Sequence, residues 1–148
     1  IKERGVLVGK QDIRQLKKHI IRYWVDHIEA VLSKHKVKAE EIDYVIPHVS
    51  SMFFYEKLND EIAARGIALT KEKWFTNLTS VGNIGSAAIY VALDELIRTK
   101  EIKQGHKILL LVPESGRFSY GTVLLSLSAG KQYKGINFCV KNTVNTCR

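Results

Sequence analysis

The strongest pattern in the chain is a helical repeat of apolar positions near its N-terminus. From about Gln11 to Lys34 apolar residues recur every three or four positions, which predicts one long amphipathic helix. The face between them is basic, so the helix buries one stripe and presents a positive one. The apolar positions are Ile13, Leu16, Ile20, Trp24, Ile28, Val31 and Leu32, and the basic ones are Arg14, Lys17, Lys18 and Arg22.

The next pattern marks the end of a buried strand. The run DYVIP at residues 43–47 is rich in β-branched and aromatic residues, which favour strands. Pro47 has no N–H with which to extend a ladder, so we predict that the strand ends there. His48 and Val49 then form the turn that follows the strand.

Two more helices are predicted after this turn. The first is capped by Ser50 or Ser51 and runs to about Ala64, with Gly66 as the residue that ends it in the left-handed conformation. The second covers residues 84–99 and begins with small side chains, which let another backbone approach closely.

The remaining segments read mainly as strands. We predict strands at residues 74–77, 107–112 and 118–127, a loop at 78–83, and a mostly irregular tail after Ala129. The run KILLLV at 107–112 is continuously apolar, which is typical of a strand covered on both faces. Strands that alternate with helices and end in adjacent strands predict a layered α/β domain with a mixed sheet.

Composition and charge narrow the class of protein. The chain has 148 residues, of which 45% are hydrophobic and 26% charged, a balance typical of one soluble globular domain. No apolar run reaches the roughly 18 residues that span a bilayer, so we expect no membrane segment. The net charge of +8 suits an acidic partner. The basic residues are not interleaved with exposed aromatics, so we do not expect nucleic acid as that partner.

Two cysteines, Cys139 and Cys147, lie near the C-terminus. They form neither a CxxC pair nor a metal-ligand spacing with histidines, and the chain shows no phosphate loop or metal cluster, so we predict no metal site. We also expect no tightly bound cofactor. Without a visible secretory signal, a reducing cytoplasm is the expected compartment. The chain begins at Ile1 rather than Met, and we expect it to be a fragment or a processed product.

Two predicted loops carry polar side chains where open α/β sheets place their chemistry, at the ends of strands. One holds His48 and the other holds Asn83, between Gly82 and Gly85. A neutral imidazole N–H and a carboxamide N–H that converge on a carbonyl oxygen would stabilise it as negative charge develops.

Each residue alone also has a plainer interpretation. His48 can be a loop or capping histidine bonded to backbone, and Asn83 can be a turn residue or helix cap. Asp94 and Glu95 lie within a predicted helix and read as a solvated edge rather than an acid/base pair. We assign no chemistry to the other histidines, His19, His27, His35 and His106.

The motifs in combination are more specific than each alone. DYVIPHVSS, followed about thirty residues later by SVGNIGSAAIYVALDELIRTKEIKQGHKILLLV, resembles the C-terminal half of the β-ketoacyl-acyl-carrier-protein synthase III family, over roughly residues 10–127. These are condensing enzymes of the thiolase fold. The resemblance implies that residues 1–129 are the C-terminal domain of such an enzyme, a layered thiolase-like half, and that residues 130–148 are a basic tail.

The resemblance also implies residue roles. His48 and Asn83 match the catalytic histidine and asparagine, which hold a malonyl thioester carbonyl while carbon dioxide leaves. Ser115 and Gly116 match the loop that approaches the thioester. The nucleophilic cysteine belongs to the missing N-terminal half, so the isolated chain is expected to be inactive. Acyl-coenzyme A, phosphopantetheine thioesters and an acyl carrier protein are the implied substrates and partners, and a homodimer is the implied assembly.

The sequence departs from the family pattern at several positions. Val49-Ser50-Ser51 stands where the family has Gln-Ala-Asn, and Phe53 stands where an arginine often meets the carrier protein. Glu114-Ser115-Gly116-Arg117 replaces a glycine-rich turn, and Tyr120-Gly121 replaces a Trp-Gly pair. These differences indicate a divergent branch, such as synthases of specialised lipids or aryl polyketides.

Two other classes of function stay open. One is a non-catalytic thiolase-fold subunit that pairs with an active ketosynthase, or an acyltransferase of the same fold. The other is a basic interaction module that uses the positive stripe of the first helix.

Overall fold

The computed structural model describes residues 13–116, 118–128 and 137–143. The α-helices are α1 (Ile13–Lys34), α2 (Met52–Ala64), α3 (Leu78–Val81) and α4 (Ala88–Thr99). The strands are β1 (Tyr44–Pro47), β2 (Lys107–Glu114), β3 (Ser119–Ser128) and β4 (Asn137–Thr143). Short 3-10 turns lie at Ala39–Glu41, Lys71–Lys73 and Gly85–Ala87.

The four strands form one mixed sheet in the order β1-β2-β3-β4. β1 and β2 run parallel, with Ile46 opposite Leu110, whereas the β2–β3 and β3–β4 pairs are antiparallel. Parallel strands need a long crossover, and here α2, α3 and α4 supply it between β1 and β2. The mixed sheet with packed helices confirms the predicted layered fold.

Helices cover both faces of this sheet, and β2 shows how the sequence encodes it. Leu109 and Leu111 pack into a core shared with α1 and α2, whereas Ile108 and Leu110 pack into a second core shared with α4. Successive side chains of a strand point to opposite faces, so a strand buried on both faces must be continuously apolar. The prediction drawn from KILLLV is confirmed.

The long first helix is confirmed between Ile13 and Lys34. Its predicted apolar stripe is buried at Leu16, Ile20, Trp24, Ile28, Val31 and Leu32. The opposite face is exposed at Arg14, Lys18 and Arg22. The side chains of Ile13 and Lys17 and the residues Gln11 and Asp12 lie outside the described part of the chain.

Polar contacts tie α1 to α2 above their shared core. The Arg65 guanidinium, just after α2, lies 2.6 Å from Asp26, 2.7 Å from Glu29 and 2.9 Å from Glu61. These three carboxylates raise the pKa of Arg65 above its ordinary value. Because the carboxylates are solvent-exposed, we expect the network to fix the angle between the helices more than to add stability.

The ends of α2 follow the prediction in one respect and differ in another. Gly66 has a φ of +68°, the left-handed conformation expected of the residue after a helix. Ser51 occupies the N-cap position, but its side chain makes no capping hydrogen bond. Its backbone carbonyl instead accepts from the N–H groups of Phe54 and Tyr55.

The predicted strand at 74–77 and loop at 78–83 are both wrong in part. Only Trp74 forms a single bridge, to Val45, and residues 78–81 form the short helix α3. The reason lies at Asn77, whose carbonyl accepts from the N–H groups of Ser80 and Val81 and turns the chain into a helix. The next helix, predicted from Ile84, is a 3-10 turn until Ala88.

The tail holds a strand that the periodicity does not reveal. β4 covers Asn137–Thr143 and pairs along β3, with Val140 opposite Leu125, whereas the tail was expected to be mostly irregular. Pairing supplies the hydrogen bonds that the outer edge of β3 would otherwise leave open. The predicted boundary at 129/130 and Cys147 lie outside the described residues, and Cys139 is described only as part of the β4 backbone.

No helix in the described part of the chain is both long enough and apolar enough to cross a membrane.

Candidate active site

The turn that carries His48 is fixed by the sheet itself. We call residues 48–51 the His48 turn. The His48 N–H donates to the Leu111 carbonyl at 2.8 Å, which continues the parallel β1–β2 ladder one residue past Pro47. Val49, the next residue, is buried in the core between the sheet and α2. The imidazole is therefore placed at the carboxyl end of β1 by backbone pairing on one side and packing on the other.

The second loop, which we call the Asn83 loop, consists of residues 78–87. Gly82 and Gly85, on either side of Asn83, have φ values of +80° and +67°, a region that favours glycine. The Asn83 Oδ1 accepts a hydrogen bond from the Gly85 N–H at 3.0 Å. That bond uses one lone pair of Oδ1 and orients the carboxamide, and no hydrogen bond from its NH₂ group to another described residue is seen, so this group can donate to a ligand.

The Asn83 loop is held by a hydrogen bond from Asn77, the residue before it, to α4, whereas the His48 turn is held by the sheet. Asn77, at its base, is buried, and its Nδ2 donates to the Glu95 carboxylate on α4 at 2.7 Å. The Asn77 carbonyl holds the first turn of α3. From residue 81 to residue 87 every side chain or glycine is exposed, including the apolar Val81 and Ile84. Glu95, which read as a solvated edge, is thus a structural acceptor for this loop.

His48 and Asn83 line the same cavity, of about 220 Å³. Ser115, from the turn between β2 and β3, lines it as well, so three of the four predicted site residues meet at one place. Gly116 adjoins Ser115 in the chain but is not among the residues that line the cavity. α1 contributes an apolar wall to the cavity, which consists of Leu16, Ile20, Ile21 and Trp24.

The electrostatics of His48 suit a neutral donor. Burial lowers the pKa of His48 below its ordinary value of 6.5, because desolvation disfavours the imidazolium. At neutral pH the ring therefore carries one N–H donor and one acceptor nitrogen. With the NH₂ group of Asn83, the cavity presents two neutral donors, which is the chemistry an oxyanion requires.

The turn between β2 and β3 is partly closed to a ligand. The Gly116 N–H donates to the Glu114 carboxylate at 2.7 Å, so this N–H is already engaged. A ligand oxygen could use it only if the Glu114 side chain moved away. Ser115 is half-buried and faces the cavity, and Arg117 lies outside the described residues.

The sequence pattern missed the contribution of α1 to the site. The helical repeat marks Trp24 and Ile20 as core positions, yet both also line the cavity. Ile21 lies beside the predicted apolar stripe and lines the cavity. An apolar residue at that position widens the apolar face of the helix, and this is the sequence signal for the α1 wall. Phe54, another lining residue, follows the exposed Phe53 at the start of α2.

Tyr120 holds this wall of the cavity against the sheet. Its hydroxyl donates to the Ile20 carbonyl at 3.0 Å, and its ring stacks on Trp24 at 6.3 Å and on His27 at 5.8 Å between centroids. His27 in turn shares a 3.1 Å hydrogen bond with the Thr122 hydroxyl. Burial raises the pKa of Tyr120 to about 12, so the phenol stays protonated and able to donate.

No group of three or more histidine, cysteine or acidic side chains that could hold a metal ion occurs in the described ranges.

Known proteins resemble this chain over most of its length. The family model for the C-terminal part of 3-oxoacyl-[acyl-carrier-protein] synthase III matches residues 32–127. The chain is 29% identical over 125 residues to β-ketoacyl-[acyl-carrier-protein] synthase III of Clostridium acetobutylicum, covering 83% of this chain and 37% of that protein. It is 34% identical over 112 residues to the enzyme of the same name from Aquifex aeolicus, covering 76% of this chain and 34% of that protein.

A solved structure agrees with these relatives. The crystal structure of 3-oxoacyl-[acyl-carrier-protein] synthase III from Aquifex aeolicus has a TM-score of 0.66 and 33% sequence identity. It covers 79% of this chain and 36% of the crystallised chain. The chain therefore spans about a third of the length of the relatives that it matches.

Proposed function

Because this chain belongs to the 3-oxoacyl-[acyl-carrier-protein] synthase III family, whose C-terminal model it matches, we propose that it supplies the His/Asn part of a condensing active site. The reaction would join an acyl group to a malonyl thioester with loss of carbon dioxide. The observation that carries the proposal is that His48 and Asn83, from two distant loops, line one cavity.

The proposed chemistry begins with decarboxylation. The bond between the malonyl carboxylate and its central carbon breaks, carbon dioxide leaves, and the electron pair passes to the thioester carbonyl oxygen as an enolate. The His48 N–H and the Asn83 NH₂ donate to that oxygen and stabilise its developing charge. A neutral His48 serves this step, and its lowered pKa supports that protonation state at pH 7.

Carbon–carbon bond formation follows. The enolate carbon attacks the carbonyl of an acyl thioester, a carbon–carbon bond forms, and the thiolate that carried the acyl group leaves. We place that thiol on a cysteine in the part of the family's length that this chain does not span. The chain by itself is therefore proposed to be inactive in condensation and to need the cysteine-bearing part.

The test is decarboxylation of a malonyl thioester by the intact protein. We expect His48→Ala and Asn83→Ala each to lower the rate about a hundredfold, the usual cost of losing one oxyanion donor. His35→Ala, at an exposed histidine, is the matched control and should leave the decarboxylation rate unchanged. Full activity in His48→Ala would remove the proposed role of this residue.

A second candidate function is a non-catalytic subunit that shapes the acyl pocket of an active partner. It is favoured by the turn at Glu114–Gly116, where the Glu114 carboxylate occupies the Gly116 N–H. In that case the intact protein should bind a thioester without decarboxylating it, and the His48→Ala variant should behave like the wild type.

An acyl carrier protein is the proposed partner, with acyl-coenzyme A as the proposed acyl donor and a homodimer as the proposed assembly. The exposed Arg14, Lys18 and Arg22 lie on α1, the helix whose apolar face lines the cavity. Phe53, half exposed at the start of α2, stands where the family often has an arginine. We expect binding of an acidic carrier to weaken sharply with salt, whereas salt-independent binding would contradict this docking surface.

A further inference from the structure

Trp24 differs from the other tryptophan of this chain in one respect that bears on the cavity. It is 1% exposed and its indole Nε1 is shielded from solvent, yet this N–H donates no hydrogen bond to any described residue. Trp74 is also buried, but its Nε1 donates to the Leu69 carbonyl at 2.8 Å. Buried polar groups are nearly always paired, so the unpaired N–H of Trp24 needs an explanation.

The aromatic neighbour of Trp24 does not provide one. Tyr120 stacks on the indole with an interplanar angle of 24°. An indole N–H lies in the plane of its own ring, so it runs nearly parallel to the Tyr120 ring and does not point at that ring's face. The Tyr120 hydroxyl is itself directed to the Ile20 carbonyl. The donor is therefore left over after the described contacts of α1 with the sheet are counted.

The position of Trp24 suggests what the donor is for. Trp24 lines the cavity that holds His48 and Asn83, on the wall formed by α1. We propose that the Trp24 indole N–H binds a carbonyl oxygen of the thioester ligand in this cavity. This inference rests on the proposed function, since it assigns to that ligand a third donor on the wall formed by α1. The family model begins at residue 32, so its matched residues do not include Trp24.

A ligand reaches this donor only if neighbouring side chains move, because Nε1 is shielded from solvent. Ile21 and Phe54 line the same cavity, pack against the core cluster that contains Trp24 and are only partly buried, so we infer that a change in their rotamers opens the path. Once a carbonyl oxygen is in place, water does not compete for the donor, because the indole is otherwise enclosed. A hydrogen bond in such surroundings is stronger than one made at the surface.

The experiment replaces the indole N–H group by sulfur at one tryptophan of the chain or at the other. Benzothienylalanine keeps the shape of tryptophan and replaces the N–H by sulfur, and it is introduced at position 24 or at position 74 of the intact protein. Trp24→Phe and Trp74→Phe, which also lack the indole N–H, are made by ordinary mutagenesis for comparison. Binding is measured by calorimetry with two probes, pantetheine and a non-hydrolysable amide analogue of malonyl-pantetheine, and thermal unfolding is recorded for each protein.

The replacement should weaken ligand binding at position 24 and lower thermal stability at position 74. At position 24 we expect the dissociation constant to rise about fivefold to tenfold, the usual weight of one hydrogen bond. The melting temperature of the unliganded protein should stay the same or rise, since a donor without a partner is removed. At position 74 the melting temperature should fall, because the Leu69 carbonyl loses its donor, and the dissociation constant should not change.

The two probes locate the acceptor. Weaker binding of both probes at position 24 assigns the bond to an amide carbonyl of the pantetheine arm. Weaker binding of the malonyl analogue alone assigns it to the acyl carbonyl. Unchanged binding of both probes at position 24 would overturn the inference, as would a fall in melting temperature there equal to that at position 74. Failure of the wild-type protein to bind either probe would instead reject the proposed function of the cavity.

Discussion

The two loops that build the cavity are supported in different ways. The His48 turn is joined to β2 by a backbone hydrogen bond and backed by the buried Val49. The Asn83 loop is exposed from residue 81 to residue 87 and is held mainly at its base, by the Asn77–Glu95 contact. One donor of the proposed oxyanion site is thus fixed by the core, and the other depends on a local anchor. We expect the first to resist perturbation and the second to adapt to a ligand.

The largest effect should come from the core beneath the His48 turn. Leu111 is fully buried between the sheet and the helices, and its carbonyl receives the His48 N–H. We expect Leu111→Ala to lower the free energy of unfolding by about 3 kcal/mol, because it leaves a cavity in a packed core. Urea unfolding measures the change. Val81→Ala, in the exposed part of the Asn83 loop, is the matched control and should cost less than about 0.5 kcal/mol.

An equal loss from both substitutions would show that the two loops do not differ in support.

The next largest effect should come from the anchor of the Asn83 loop. Asn77→Ala removes a buried donor to the Glu95 carboxylate, and we expect a loss of about 2 kcal/mol. Asn77→Asp should be at least as harmful at neutral pH, since it sets two carboxylates against each other. Hydrogen exchange should speed up in residues 78–87 and stay unchanged at His48. Faster exchange at the His48 turn as well would mean that the two loops are coupled.

A smaller effect concerns pH. Burial lowers the pKa of His48 below 6.5, so below that pH the unfolded chain binds more protons than the folded one. The free energy of unfolding should therefore fall as the pH drops from 6.5 through the lowered pKa, and this group should have no effect above 6.5. His27, whose pKa is also lowered by burial, acts in the same direction. Urea titrations at several pH values measure the slope, which His48→Gln should reduce.

If the dependence of the unfolding free energy on pH is the same in wild type and in His48→Gln, burial does not lower the pKa of His48. The His27→Gln variant serves as the comparison, since it should remove the other part of the slope.

The smallest effect on stability should accompany one of the largest on activity. Asn83 is exposed, and within the described part of the chain its side chain makes only the local bond to the Gly85 N–H. We expect Asn83→Ala to change the free energy of unfolding by about 0.5 kcal/mol or less. The same substitution should lower the decarboxylation rate about a hundredfold. Activity lost only in proportion to stability would indicate that Asn83 is a turn residue and not a ligand donor.

Much of the fold was predictable, because its main elements carry their own pattern. The apolar stripe of α1, the burial of β2 on both faces and the left-handed Gly66 after α2 each follow from local spacing or backbone preference. The strand predicted at 74–77 was wrong because Asn77 turns the chain into α3 through its carbonyl, a choice that periodicity does not encode. β4 was missed because its pairing depends on the open edge of β3 rather than on its own sequence.

The candidate site divides in the same way. The sequence identified His48 and Asn83 by their place after predicted strands and before predicted helices, and by their resemblance to a family motif. It did not indicate that the Gly116 N–H is engaged by Glu114, since that bond depends on the geometry of one turn. Nor did it separate Trp24 from Trp74, because both read simply as buried aromatic positions.

The sequence by itself determined the main helices and strands, the apolar faces of α1 and β2, and the position of His48 at the end of a strand. These properties depend on neighbours three or four positions away and on the backbone preferences of single residues. The tertiary structure alone decided that α1 forms a wall of the His48 cavity and that Tyr120 holds that wall. It also decided that the Trp74 indole N–H has a partner, whereas the Trp24 indole N–H has none among the described residues. Hydrogen bonds across 95 and 100 residues of sequence, such as His27–Thr122 and Tyr120–Ile20, depend on packing, which no local pattern specifies.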